Sequence, residues 1–182
     1  MSNFTNRILR AAKLDIALYE EVESDPSSMS QAMVVVILSS IAAGLGSLHV
    51  TGGFGFIITG TISALISWFI WAFLTYIIGN KLLPEPQTRS NYGELLRTIG
   101  FSSAPGLIRI IGIIPGLFGV VFLISSIWML IAMIIAVRQA LDYRSTMRAV
   151  GVCIIGWIIQ GLILGLILHN MAGSPALTSI DV

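Results

Sequence analysis

Charge is the scarcest resource in this chain. Ten basic and nine acidic residues make up only 10% of 182 positions, while 55% are hydrophobic and the mean hydropathy is +0.91. A soluble domain carries about a quarter charged residues, so these few could not cover a water-facing surface, and lipid is the natural solvent for most of the chain. The net charge of +1 points to neither nucleic acid nor an acidic substrate. Cysteine is nearly absent. The single Cys153 excludes an internal disulfide framework and a cysteine metal cluster, and inside its apolar run it reads as a small packing residue. A Walker-type phosphate loop, an HExxH, a GxSxG and paired intramembrane carboxylates are all missing, so no catalytic constellation is present and no enzyme is expected. A secretory signal is missing too. Arg7, Arg10 and Lys13 lead into Asp15, Glu20, Glu21 and Glu23, with no apolar core before Ser30.

What is present is an all-α pattern of five apolar stretches behind a short amphipathic segment. Residues 1–27 form the head. At helical spacing Phe4, Ile8, Ala12, Ile16, Leu18, Tyr19 and Val22 share one arc of a helix over 4–23, opposite Arg7, Arg10, Lys13, Glu20 and Glu21. Such a helix lies either in the membrane interface or against the protein's own loops, until Asp25-Pro26 breaks it. Ser28 and Gln31 have capping-box spacing at the start of the next run. A membrane domain over 28–169 then predicts spans at about 29–48, 54–78, 94–111, 116–137 and 146–168, followed by a polar tail over 170–182. The third span is the least apolar, but charge placement supports it. With five spans and a cytoplasmic N-terminus, Arg7, Arg10, Lys13, Lys81, Arg89, Arg97, Arg138, Arg144 and Arg148 share the cytoplasmic side, and only Arg109 lies towards the outside. Deleting that span would move Arg138, Arg144 and Arg148 across.

The stretch Tyr92–Gly116 holds the unusual residues. Pro105 inside the third span removes a backbone donor and frees the Phe101 carbonyl, with Ser102 and Ser103 available to repair the break. Gly112, Pro115 and Gly116 describe a close hairpin of the third and fourth spans, with Pro115 suited to a first helical turn. Gly60 and Ala64 in the second span, and Gly161 and Gly165 in the fifth, form small-residue faces of the kind that packs membrane helices. Arg109 lies three residues before Gly112, close enough to snorkel to the outer headgroups. Gln160 falls mid-span and has a neighbouring helix as its expected partner. Glu94 and Arg97 have the spacing of a helix-face ion pair. His49 and His169 fall at the outer ends of their spans. Imidazoles there could ligate a metal or tetrapyrrole, but no carboxylate or thiolate accompanies them before Asp181, so no cofactor is expected.

Four elements recur in a familiar order. They are Leu96-Arg97-Thr98-Ile99-Gly100-Phe101-Ser102-Ser103-Ala104-Pro105-Gly106-Leu107, Ile113-Ile114-Pro115-Gly116, Ala136-Val137-Arg138-Gln139-Ala140-Leu141, and Ser145-Thr146 with Arg148-Ala149. Together they resemble the Yip domain family of Rab/Ypt-interacting membrane proteins, in its prokaryotic branch, over roughly residues 30–168. The resemblance implies a five-span helical membrane domain with a cytoplasmic N-terminus, placed here in a bacterial cytoplasmic membrane. Its eukaryotic members contact Rab GTPases and carry a longer cytosolic head and a DLYGP motif. This chain has neither, so Rab binding is not carried over. The expected function is that of a non-enzymatic scaffold or accessory subunit, with lipid, membrane-protein partners or further copies of itself as contacts. The alternative is a small-solute or lipid transporter or channel around the Pro105 break, its path lined by Ser102, Ser103, Arg109 and Gln160. A third reading is a pigment- or haem-ligating subunit using His49 or His169.

Overall fold

The computed structural model describes residues 3–172 apart from Gly52 and Phe54, and side chains as far as Leu166 apart from those of Thr51 and Leu164. The polar tail and the side chain of His169 lie outside the described residues. Four helices are long and apolar enough to cross a membrane. They are α3 (Met29–Gly46), α5 (Gly55–Ile77), α7 (Phe118–Ala140) and α8 (Thr146–Ala172), with the one-turn α4 (Leu48–Thr51) between the first two. No strand occurs among the described residues. Each of α5, α7 and α8 leaves large apolar side chains uncovered, such as Ile62, Ile66, Leu123, Ile127, Ile158 and Leu162. Outward-facing stripes of this kind suit hydrocarbon and not water.

The third segment is broken rather than continuous. Helix α6 (Tyr92–Phe101) gives way at Ser102–Ser103 to a 3₁₀-helix over Ala104–Ile113. Ten residues is long for a 3₁₀-helix, which seldom exceeds one turn. The break falls just before Pro105, whose missing N–H is harmless in a first helical turn. Ser102 repairs the end of α6 by donating its hydroxyl to the Ile99 carbonyl at 2.7 Å, rather than to that of Phe101.

The segment runs parallel to α3 along the whole of that helix. Gly93 lies by Met29, Gly100 by Ala32, Gly106 by Ser39 and Gly112 by Gly46. At about 1.5 Å per α-residue and 2.0 Å per 3₁₀-residue its two parts reach about 35 Å, enough for a hydrocarbon core of about 30 Å. The approach is possible only without side chains. A Cβ on Gly106 would lie 2.1 Å from the Ser39 hydroxyl, and one on Gly46 would lie 1.9 Å from the Arg109 carbonyl oxygen. Trp68 ties the segment to α5 by donating its indole N–H to the Leu96 carbonyl at 3.0 Å. The chain then turns through Ile114-Pro115-Gly116-Leu117, with Gly116 at φ +86° and the Leu117 N–H bonded to the Ile114 carbonyl. This is the chemistry of a type II turn, so Pro115 serves the turn and not the first turn of α7.

The head differs from the single amphipathic helix expected. Leu14, in the left-handed region at φ 62°, splits it into α1 (Phe4–Ala12) and α2 (Ile16–Ser24). Asp15 caps α2 by accepting from the Ala17 N–H. The pair folds onto the bundle, α2 against α6 and α7 with Leu18, Tyr19 and Val22 fully buried, and α1 against the 3₁₀ part of the third segment. It therefore packs on its own protein. Arg7 is the clamp, donating to Glu21, Asp25 and Gln31. Gln31 is thereby drawn away from a capping box, and Ser28 donates instead to the Val22 and Asp25 carbonyls. Arg97, only 7% exposed, donates to the Val22 and Glu23 carbonyls, not to Glu94. Glu94 completes a capping box with Asn91 at the start of α6.

The loop after α5 joins the same end. A π-helical turn over Ile78–Leu82 follows α5, and its Gly79 carbonyl and the nearby Leu83 carbonyl both accept from the Tyr143 hydroxyl. Burial raises that hydroxyl to about 12, so it remains a donor at neutral pH. Arg148 pairs with Glu85 at 3.3 Å, and Gln87 donates to the Asp142 carbonyl.

Two expectations follow. Gly106→Val should destabilise the purified protein by about 1–3 kcal/mol or more and lower its thermal midpoint, whereas Gly161→Val, in open space, should leave it unchanged. Equal midpoints for the two variants would refute the close approach. The second concerns Glu23. Burial pushes its carboxyl up to about 8, with repulsion from Asp142, Glu20 and Glu94 adding to the effect and Arg97 opposing it. The folded state then holds this proton above the ordinary carboxylate range, so stability falls as pH rises towards and through 8. The thermal midpoint of Glu23→Gln should fall less between pH 6 and pH 9 than that of the parent, and identical slopes would exclude Glu23 as the source.

Candidate functional site

A cavity of about 660 Å³ opens in the half of the bundle away from the clamped head. Its walls come from the later turns of α3, from α5, from the break and 3₁₀ part of the third segment, and from α7 and α8. On α7 it extends from Phe122 to Met133, about 16 Å at helical rise. Phe56, Gly60 and Trp157 on its wall are themselves exposed, so the cavity opens sideways on the apolar surface.

Ser102, Ser103, Arg109 and Gln160, drawn from the third segment and α8, all border this one space. Ser103 stands at the break, beside Ser102 whose hydroxyl is spent on Ile99. Arg109 does not snorkel outward. Its Nε donates to the Ser125 hydroxyl at 2.8 Å and one terminal nitrogen donates to that of Ser126 at 3.1 Å. Those hydroxyls donate in turn to the Phe122 carbonyl. The guanidinium carbon also lies 5.2 Å from the centre of the Phe122 ring, a cation–π distance. Ser125 and Ser126 are about two turns into α7, so the guanidinium points roughly 10 Å inward from the start of that helix. Outward snorkelling would lose both hydroxyls and the ring.

Among the described residues no carboxylate reaches Arg109. The described ion pairs lie in the head and between Arg148 and Glu85. Every acid among the described residues sits in the head or in the loops and helix start at that end, which Glu20–Gln139 and Arg144–Glu85 contacts draw together. Trp71, another wall residue and only 7% exposed, has an indole N–H with no partner among the described residues. An unpaired buried donor is costly and calls for an explanation.

The predicted packing glycines are placed differently. Nothing lies within 4 Å of a Cβ on Gly60, Gly161 or Gly165. Gly60 and Ala64 border the cavity, and Gly161 and Gly165 face away from the rest of the described chain. The close approaches are made by Gly44, Gly46, Gly79, Gly100, Gly106, Gly112 and Gly156, the last under the Trp71 ring. Ring-edge contact with Phe118 at 5.6 Å occupies His49. No group of three or more potential metal ligands occurs among the described residues.

Ser125, Ser126, Trp71 and Phe122 were not legible as site residues. The two serines were the available signal, a polar pair inside the most apolar span. Sequence comparison covers the bundle and the second helix of the head. The model of the Yip1 domain family matches residues 17–168. No curated protein and no solved structure matches at a significant level. The match takes in α2, the broken third segment and every wall of the cavity, and the chain belongs to the Yip1 domain family.

Proposed function

We propose that this integral membrane protein works by holding an amphiphilic molecule in the cavity, and not by turnover. The observation that carries the reading is the convergence of Ser102, Ser103, Arg109 and Gln160 on one space whose remaining wall is largely apolar. Ligand sites are commonly spaces of roughly 300–1,000 Å³ with apolar walls and a few convergent polar groups. Among the described residues the hydroxyls have no neighbouring base or carboxylate to activate a nucleophile. The lateral opening suits a molecule that arrives from the bilayer. The nine basic residues of the head and loops gather at the clamped end, which the positive-inside rule assigns to the cytoplasm. The cavity then belongs to the outer half of the membrane.

A scaffold or accessory role is the second reading. Its support is the open face at Gly161 and Gly165, where a helix of another protein, or of a second copy, could approach closely.

A neutral fluorescent acyl-chain probe separates the two. The detergent-purified protein should retain about one probe per chain, and Gly60→Phe, which obstructs the lateral opening, should abolish retention. Ile62→Phe, on the exposed face of α5, should change nothing. Equal retention by the parent and Gly60→Phe would defeat the ligand-holding reading. Loss of a co-purifying partner in Gly161→Leu, with probe retention intact, would establish the scaffold role.

A further inference from the structure

The polar part of the cavity wall carries one sign of charge, and that sign is not balanced. Arg109 is permanently ionised, and two of its five N–H donors are taken by the neutral hydroxyls of Ser125 and Ser126. A carboxylate partner is lacking, since the described acids gather at the other end of the bundle. A charged side chain at membrane depth is rare and is ordinarily paired. Here no pairing group is found among the described residues, and a ligand in the cavity would supply it.

The surroundings define what that group is attached to. From Arg109 the space continues past Met129, Leu130 and Met133 to Trp71 and Trp157, an apolar channel of acyl-chain dimensions. A hydrophilic anion would satisfy the guanidinium and leave this channel unfilled. A neutral chain would fill the channel and leave the guanidinium unpaired. The volume of about 660 Å³ admits a head and one chain, with the second chain remaining in the bilayer beyond Phe56 and Gly60.

We propose that the cavity is a binding site for an anionic phospholipid, whose phosphate is gripped by Arg109 and whose acyl chain lies between α5 and α7. Basic pockets between membrane helices bind anionic headgroups in this way. Guanidinium and phosphate match in a two-pronged geometry, and Gln160 lines the same space as a further donor. A zwitterionic lipid presents the same phosphate with a compensating cation, for which the cavity holds no acid. The inference rests on the reading of the cavity as a ligand site and adds the charge of the head.

Native mass spectrometry of the full-length protein tests it. The protein is released from detergent containing equal amounts of phosphatidylglycerol and phosphatidylcholine with the same acyl chains. The parent should carry one lipid, with the anionic one favoured about fivefold, the scale of one basic group near a charged head. Arg109→Gln should retain lipid without preference, and Arg109→Lys should keep the preference, which guards against a variant that merely fails to fold. Gly60→Phe should carry no lipid. Lipid lost in Gly60→Phe but taken up without preference by the parent would overturn the headgroup assignment and leave the cavity reading standing. A preference that survives in Arg109→Gln would overturn it also. No retained lipid in the parent would bring down both. An adduct formed with inorganic phosphate alone would identify a free anion as the occupant and overturn the phospholipid.

Discussion

Hydrocarbon offers nothing to an unpaired peptide group, and the rest of this fold answers to that constraint. A proline placed within an apolar stretch forces the backbone at Ser102–Ser103 out of α-helical pairing. The chain meets the cost locally, through the Ser102 hydroxyl and the shift to 3₁₀ pairing, and globally, by enclosing the broken segment among α3, α5 and α7. Enclosure requires α3 to come close, and the glycines at 46, 106 and 112 make that possible. Where α5 and α7 diverge around the segment, the cavity remains. The break and the cavity are thus one structural fact.

The two ends of the bundle solve their electrostatics in opposite ways. At the clamped end, cations and anions interleave. Arg7 and Arg10 meet Glu21, Asp25 and Asp15. Arg10 holds the Asp15 carboxyl below its ordinary range, and the Ser27 hydroxyl with Arg7 does the same for Asp25. Arg97 spends its charge on backbone carbonyls. At the other end a single arginine faces serines and a phenyl ring. The first arrangement is self-sufficient and fastens the head. The second is completed by something negative that the described chain does not supply.

Much of the fold was legible in sequence, because hydropathy reports the solvent of each stretch directly. The apolar stretches emerge as helices near their expected places, and the break falls within the Gly-Phe-Ser-Ser-Ala-Pro-Gly stretch. What could not be read depended on partners distant in the chain. Ser28–Gln31 and Asn91–Glu94 have the same spacing, yet only the second is a capping box, because Arg7 captures Gln31. Leu14 gives no local sign of the left-handed turn that splits the head. Arg109 is near enough to the surface to snorkel, and only the position of Ser125 and Ser126 turns it inward. Glycine spacing marked Gly161 and Gly165 as contacts, while the contacts that matter, Gly46 with Arg109 and Gly106 with Ser39, follow from the parallel course of two segments far apart in sequence.

That parallel course is the claim on which the enclosed break, the cavity and the inward arginine all depend. Cysteines introduced singly at Gln87 and Leu117, just outside the two ends of the third segment and with Cys153 replaced by alanine, measure it in intact membranes. A membrane-impermeant maleimide applied to right-side-out and to inverted vesicles should label the two positions from opposite faces, Gln87 from the face that carries the clamped head. Labelling of both from one face would mean that the segment does not cross, and would contradict the account.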